Sequence, residues 1–136
     1  MNFLLTILFF LFPPENNIKI NDAWIRPSSE NMATALYFTI ENSGSVKDTL
    51  FEVESDISGK VELHETYSEG DMMGMRKVDF IVVEGESKFE FKPGGYHIMV
   101  MKLKKDINVG DKENFILHFK QAGEIKITAV VKKPNW

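Results

Sequence analysis

The sequence predicts an all-β domain built as an antiparallel sandwich or barrel. Three observations support that class. Downstream of an apolar N-terminus, short runs rich in β-branched and aromatic residues alternate apolar with polar positions. Clusters of Gly, Pro, Asn, Asp and Ser separate these runs at close intervals. Helical spacing of apolar residues is nowhere sustained.

In order, the predicted strands are Ile18 to Ile25, Ala35 to Asn42, Asp48 to Ser55, Gly59 to Glu65, Asp79 to Val83, Ser87 to Lys92, His97 to Leu103, Asn114 to Lys120 and Glu124 to Val131. Asn42-Ser43-Gly44-Ser45, Glu84-Gly85-Glu86, Pro93-Gly94-Gly95 and Ala122-Gly123 supply turns between them. Tyr67 to Lys77 reads as one long irregular loop, and its Gly and Met content marks it as a loop with a function. Alternation also assigns faces. In Phe115-Ile116-Leu117-His118-Phe119 the two Phe and the Leu share one face, which leaves His118 on the other as a surface residue.

Composition narrows the function. The 136 residues are 43% hydrophobic and 26% charged with a formal charge of -4, which fits one globular domain and gives no basic footprint for nucleic acid. There is no cysteine, which excludes disulfides, zinc-thiolate and iron–sulfur sites, cysteine-ligated blue copper and a thiol for lipid attachment. Met1 to Phe12 is an apolar run followed by Pro13-Pro14. It resembles the hydrophobic stretch of a secretory signal and is too short to span a bilayer. The expected organisation is a leader over residues 1–20 and one domain over 21–133, exported to the periplasm or beyond, with no stable membrane insertion of the mature domain.

The chemistry concentrates in Gly95-Tyr96-His97-Ile98-Met99-Val100-Met101. On a strand, His97, Met99 and Met101 share one face and Ile98 and Val100 the other. A His-x-Met pair then presents an imidazole beside a thioether, close enough to share one ion. His64 lies near the end of another predicted strand, and Met75 lies near the end of the loop after it. Both donor types are neutral and thioether sulfur is soft, a combination that suits copper(I) over zinc, calcium or magnesium. Taken singly, each methionine reads first as a flexible core filler, and only the joint spacing of the donors favours a ligand role. Met72, Met73 and Met101 read either as auxiliary thioethers or as neutral residues.

Spacing sharpens the reading. His64, ten intervening residues, Met75, twenty-one more, then His97-Ile98-Met99 resembles the metal-binding pattern of the periplasmic copper chaperones known as PCu(A)C. From the chain's own composition, Met, His and Met would fall at those offsets by chance in about 4 of 100,000 cases. The resemblance extends over roughly Ile20 to Lys132. It includes Asp22-Ala23-Trp24-Ile25-Arg26-Pro27, Val61-Glu62-Leu63-His64-Glu65 and Phe91-Lys92-Pro93-Gly94-Gly95-Tyr96-His97. Some relatives carry Met where Glu65 stands here. The resemblance implies a cupredoxin-like β-barrel and one Cu(I) per chain held by His64, Met75, His97 and Met99. It also implies delivery in the periplasm toward the copper A centre of cytochrome c oxidase, with subunit II or another copper chaperone as recipient. Two alternatives remain at this level: a copper-dependent redox enzyme on the same scaffold, and a structural β-sandwich without metal. An export leader adds nothing to the mature core, so deletion of Met1 to Phe12 should leave a soluble domain with cooperative thermal unfolding. An aggregated or molten truncate would make that segment part of the fold.

Overall fold

The computed structural model describes residues 17–135, and every regular element among them is a β-strand. The apolar segment assigned to export, Met1 to Phe12, lies outside the described residues. Ten strands follow one another: β1 (Ile18–Ile25), β2 (Thr34–Asn42), β3 (Asp48–Glu54), β4 (Ser58–Glu69), β5 (Met72–Val78), β6 (Ile81–Val83), β7 (Ser87–Glu90), β8 (Tyr96–Leu103), β9 (Lys112–Phe119) and β10 (Gly123–Val131). All nine expected strands occur, with ends shifted by a few residues.

The tenth corrects the sequence reading. Tyr67 to Lys77 is not an irregular loop but most of a β-hairpin, in which β4 runs on to Glu69 and β5 returns from Met72. A two-residue turn, Gly70-Asp71, joins them, and Gly70 has φ of 61° at the position a type II′ loop reserves for glycine. Tyr67 to Lys77 lacks the alternation of a half-buried strand because the outer part of the hairpin is exposed on both faces. Here ladder pairing, and not burial, maintains the strand.

The strands form one sheet in the order β5-β4-β8-β2-β1-β10-β9-β3-β6, with β7 also paired to β2. Every pairing is antiparallel as expected except β1 with β10, which is parallel through Trp24 opposite Val130 and Ile25 opposite Val131. These strands are far apart in sequence, so no short hairpin dictates their relative direction. Residues from both halves of the strand order, including Leu63, Ile98, Leu36, Ile25, Leu117, Leu50 and Ile81, meet in one hydrophobic cluster. A flat sheet cannot bring its two ends into one cluster; the sheet therefore curls on itself around a single core.

One irregularity sets the faces of β1. Asn21 opposes Thr39 but Trp24 opposes Tyr37, so β1 carries one extra residue, and Asp22 takes a left-handed φ of 56° there. The bulge reverses which parity of β1 points inward. Ile25 enters the core opposite Leu36, while Trp24 stacks its ring 4.7 Å from that of Tyr37 on the outer face. Ile98 is fully buried opposite Leu63 and Leu36. Ile98→Ala should therefore cost about 2 to 5 kcal/mol of unfolding free energy, while Val46→Ala at an exposed loop position should stay within about 0.5 kcal/mol. Chemical denaturation measures both, and a small Ile98 effect would remove this strand from the core.

Candidate metal centre

The centre is organised by β8. Before it, Lys92-Pro93-Gly94-Gly95 closes a turn in which the Gly95 N–H donates to the Lys92 carbonyl and the Lys92 N–H to the Tyr96 carbonyl. Gly94 has φ of 81°, a conformation costly for any side chain but that of glycine. The turn sets the phase of β8, so that Ile98 and Val100 point into the core and His97, Met99 and Met101 point outward.

Ladder register then collects the partners. His64 of β4 lies directly opposite His97, and Glu62 opposite Met99. On the other flank Ala35 of β2 faces Met99, a small residue that leaves room beside the thioether. Met75 of β5 opposes Thr66, two residues beyond His64 on the same face. Directly opposed residues share a face, as do residues two apart. All four sequence-predicted residues, His64, Met75, His97 and Met99, therefore lie on one face of three adjacent strands. His97, Met99, Met75 and Thr66 line an open cleft of about 630 Å³, with Tyr37 and Pro93 among its walls. The His64 and His97 rings stand 5.7 Å apart between centroids.

Each imidazole is anchored through one nitrogen. His97 Nδ1–H donates to the Gly95 carbonyl at 3.3 Å, and His64 Nε2–H donates to the Glu62 carboxylate at 2.9 Å. Acceptors at these positions fix the tautomers, because a carbonyl or carboxylate oxygen accepts only from a nitrogen that carries a proton. The remaining nitrogens, His64 Nδ1 and His97 Nε2, are buried and have no hydrogen-bond partner. A buried unsatisfied nitrogen costs about 1 to 3 kcal/mol. This arrangement, one nitrogen tied to an acceptor and the other bare, is what metal-ligating histidines adopt.

The electrostatics agree with a neutral His97 ring. Burial pushes the His97 pKa below the ordinary imidazole value; the Gly95 carbonyl opposes that shift, and the nearby His64 adds to it. Glu62 is held below the usual carboxylate range, first by the His64 hydrogen bond and then by that of Lys60, whose Nζ lies 3.1 Å from the carboxylate. Among the described residues, no group of three or more His, Cys, Asp or Glu side chains could hold a metal ion. Any centre built here needs the thioethers. Exposure is graded across it: His97 is 5% exposed, Met99 half-buried and Met75 58% exposed.

The other candidates separate cleanly. His118 sits on the outer face of β9, as expected, hydrogen-bonded to Glu54 at 2.9 Å and remote from the cleft in the strand order. Met101 is half-buried opposite Lys60, while Met72 and Met73 stand exposed on the hairpin. Sequence reasoning missed Glu62 and the Gly95 carbonyl as anchors. Both lie two residues before the histidine they hold, and for Glu62 that spacing puts its side chain on the same face of the strand as His64.

Comparison with known proteins fits this picture. The chain is 32% identical over 114 residues to protein RP573 of Rickettsia prowazekii (strain Madrid E), a match that takes in 80% of this chain and only 63% of that protein's length. Among solved structures it is similar to the "Copper-bound PCuAC domain from PmoF2", with TM-score 0.74 and 29% identity over 87% of this chain and 94% of that one. The "Solution structure of CuI-DR1885 from Deinococcus Radiodurans" shares the fold at TM-score 0.66 and 23% identity, over 83% of this chain and 78% of that one. The fold is thus the cupredoxin-like one of the PCuAC domains. A family model described as "Putative lipoprotein LpqE-like" matches residues 18–131, nearly all of the described chain, and the protein belongs to that LpqE-like family.

Proposed function

We propose that this protein is an exported copper(I) carrier that binds one Cu(I) per chain through His64 Nδ1, His97 Nε2 and the thioethers of Met75 and Met99. The observation that carries the reading is the pair of buried, unpartnered ring nitrogens on the thioether-bearing face. The copper named for the related PCuAC domain and for DR1885 agrees with it. Imidazole and thioether ligands are soft or borderline and carry no charge, so they favour the monovalent ion over zinc and over copper(II). Four of them complete a tetrahedron and leave no position for a substrate, which favours carriage over redox catalysis. We take the destination from the resemblance: the periplasm, with delivery toward the copper A centre in subunit II of cytochrome c oxidase or to another copper chaperone. The family description speaks of a lipoprotein, yet none of the 136 residues is a cysteine that could carry a lipid.

Anaerobic titration of Cu(I) against a competing chelator, with mass spectrometry for stoichiometry, should give one ion per chain and no displacement by zinc. Within that assay Met99→Leu should weaken copper binding strongly while costing less than about 1.5 kcal/mol in folding, because the two side chains have similar volume. Glu62→Ala should lower affinity about 10- to 100-fold by freeing the His64 ring. Zero stoichiometry sinks the proposal, and full affinity in Met99→Leu returns that residue to packing.

The pH response follows from proton competition, since an imidazole must be neutral to ligate. Affinity should be flat above about pH 7.5 and fall on acidification below the ordinary imidazole value of about 6.5. The metal-free fold should respond with the same sign. Because the His97 pKa is lower in the folded chain than in the unfolded one, its contribution is fully present above the unfolded value and is lost as pH falls toward the folded one. Copper affinity that stays constant from pH 5 to 7.5 would exclude histidine ligation.

A further inference from the structure

The β4–β5 hairpin extends beyond the strand that carries His97. β8 pairs with β4 only as far as Tyr96 opposite Glu65, and from Thr66 to Glu69 β4 has β5 as its ladder partner. Three methionines stand on this overhang, Met72, Met73 and Met75, at 76%, 74% and 58% exposure. Exposed large thioethers are unusual where charged residues would maintain solubility better.

Register separates the three. Met73 opposes Ser68 and Met75 opposes Thr66, so both share the face of His64 and His97. Met72 opposes Glu69 and points to the reverse face. Met73 therefore continues the donor row one step outward from Met75, at a spacing of about 6.5 to 7 Å along the strand, while Met101, half-buried opposite Lys60, lies away from the hairpin on β8. The result is a graded row from solvent to interior: Met73, Met75, then His97.

We propose that Met73 is a docking thioether that receives copper(I) from solution or from a partner and passes it to the site headed by Met75, and that it serves in reverse during release. This inference rests on the proposed copper(I) site and adds a route to it. The step is a ligand replacement in which one thioether–copper bond forms as another bond to the ion breaks. Copper stays monovalent and no proton moves, because a thioether has none to lose. A four-ligand ion exchanges slowly when several bonds must break before a new ligand can enter. An exposed donor beside the most exposed ligand removes that requirement.

The test measures rates and affinity together. Under anaerobic conditions, stopped-flow mixing of the copper(I)-loaded protein with a chromophoric chelator gives release, and the reverse mixing gives capture. Met73→Leu should slow both by about tenfold, equivalent to about 1.4 kcal/mol in the barrier, with little change in equilibrium affinity. Met72→Leu, equally exposed on the reverse face, should match wild type. Unchanged thermal unfolding in both variants excludes misfolding. Wild-type rates in Met73→Leu overturn the inference, as does equal slowing in Met72→Leu. A large affinity loss confined to release would make Met73 a resident ligand and overturn its role as a relay. Wild-type protein that binds no copper(I) at all overturns the carrier reading itself, a result distinct from each of these.

Discussion

The pairing of β4 with β8 is the constraint on which the rest depends. Leu63 opposite Ile98 and Val61 opposite Val100 drive one face of this pair into the core, and full burial of a side chain such as Leu63, Ile98 or Val100 is worth about 1.5 to 3 kcal/mol. The alternate positions, His64 opposite His97 and Glu62 opposite Met99, are carried to the other face by the same registration. A slip of β4 by one residue would turn its own side chains over, putting Leu63 on the outer face and taking His64 off the face it shares with His97. Hydrophobic burial thus positions donor atoms that take no part in it.

Once positioned, the rings are prepared by their anchors. Gly95 binds the Nδ1 side of His97 and Glu62 the Nε2 side of His64, so the two histidines present different nitrogens toward the shared face. Glu62 is the anion beside His64, and its charge is shared with Lys60 and the His64 N–H. A monovalent ion on this face would meet neutral donors directly and a carboxylate one bond further out. That arrangement stabilises positive charge without supplying the hard oxygen ligand that would favour copper(II).

The gradient of exposure has a structural cause. β8 is flanked on both sides, by β4 and β2, and its outer face is further covered around Tyr37, so His97 is enclosed. β5 is an edge strand on a hairpin that outruns its neighbour, so Met75 and the residues beyond it stay in solvent. An enclosed imidazole end and an open thioether end fit retention with exchange from one side. No helix among the described residues is long and apolar enough to cross a membrane, and the four candidate donors all lie on one face of the sheet.

Fold class and nine strands were legible from the amino-acid sequence alone, because half-buried strands betray themselves by alternation; the sequence also singled out His64, Met75, His97 and Met99 as candidate donors through a resemblance, and only the fold sets them on one face of three adjacent strands. The tenth strand was not legible, since Met72 to Val78 is held by backbone pairing to β4 and no buried face imprints a pattern on it. Nor was the position of Trp24. Continuous alternation along Ile18 to Ile25 would put it inside with Ile18 and Ile20, and the extra residue at the β1 bulge turns it outward onto Tyr37. The parallel β1–β10 pair, the opposition of His64 to His97 and the anchoring of each ring were likewise decided by tertiary structure. Residue types and their two-residue period are local properties of a chain, whereas register and hydrogen-bond partnership exist only between segments that folding brings together.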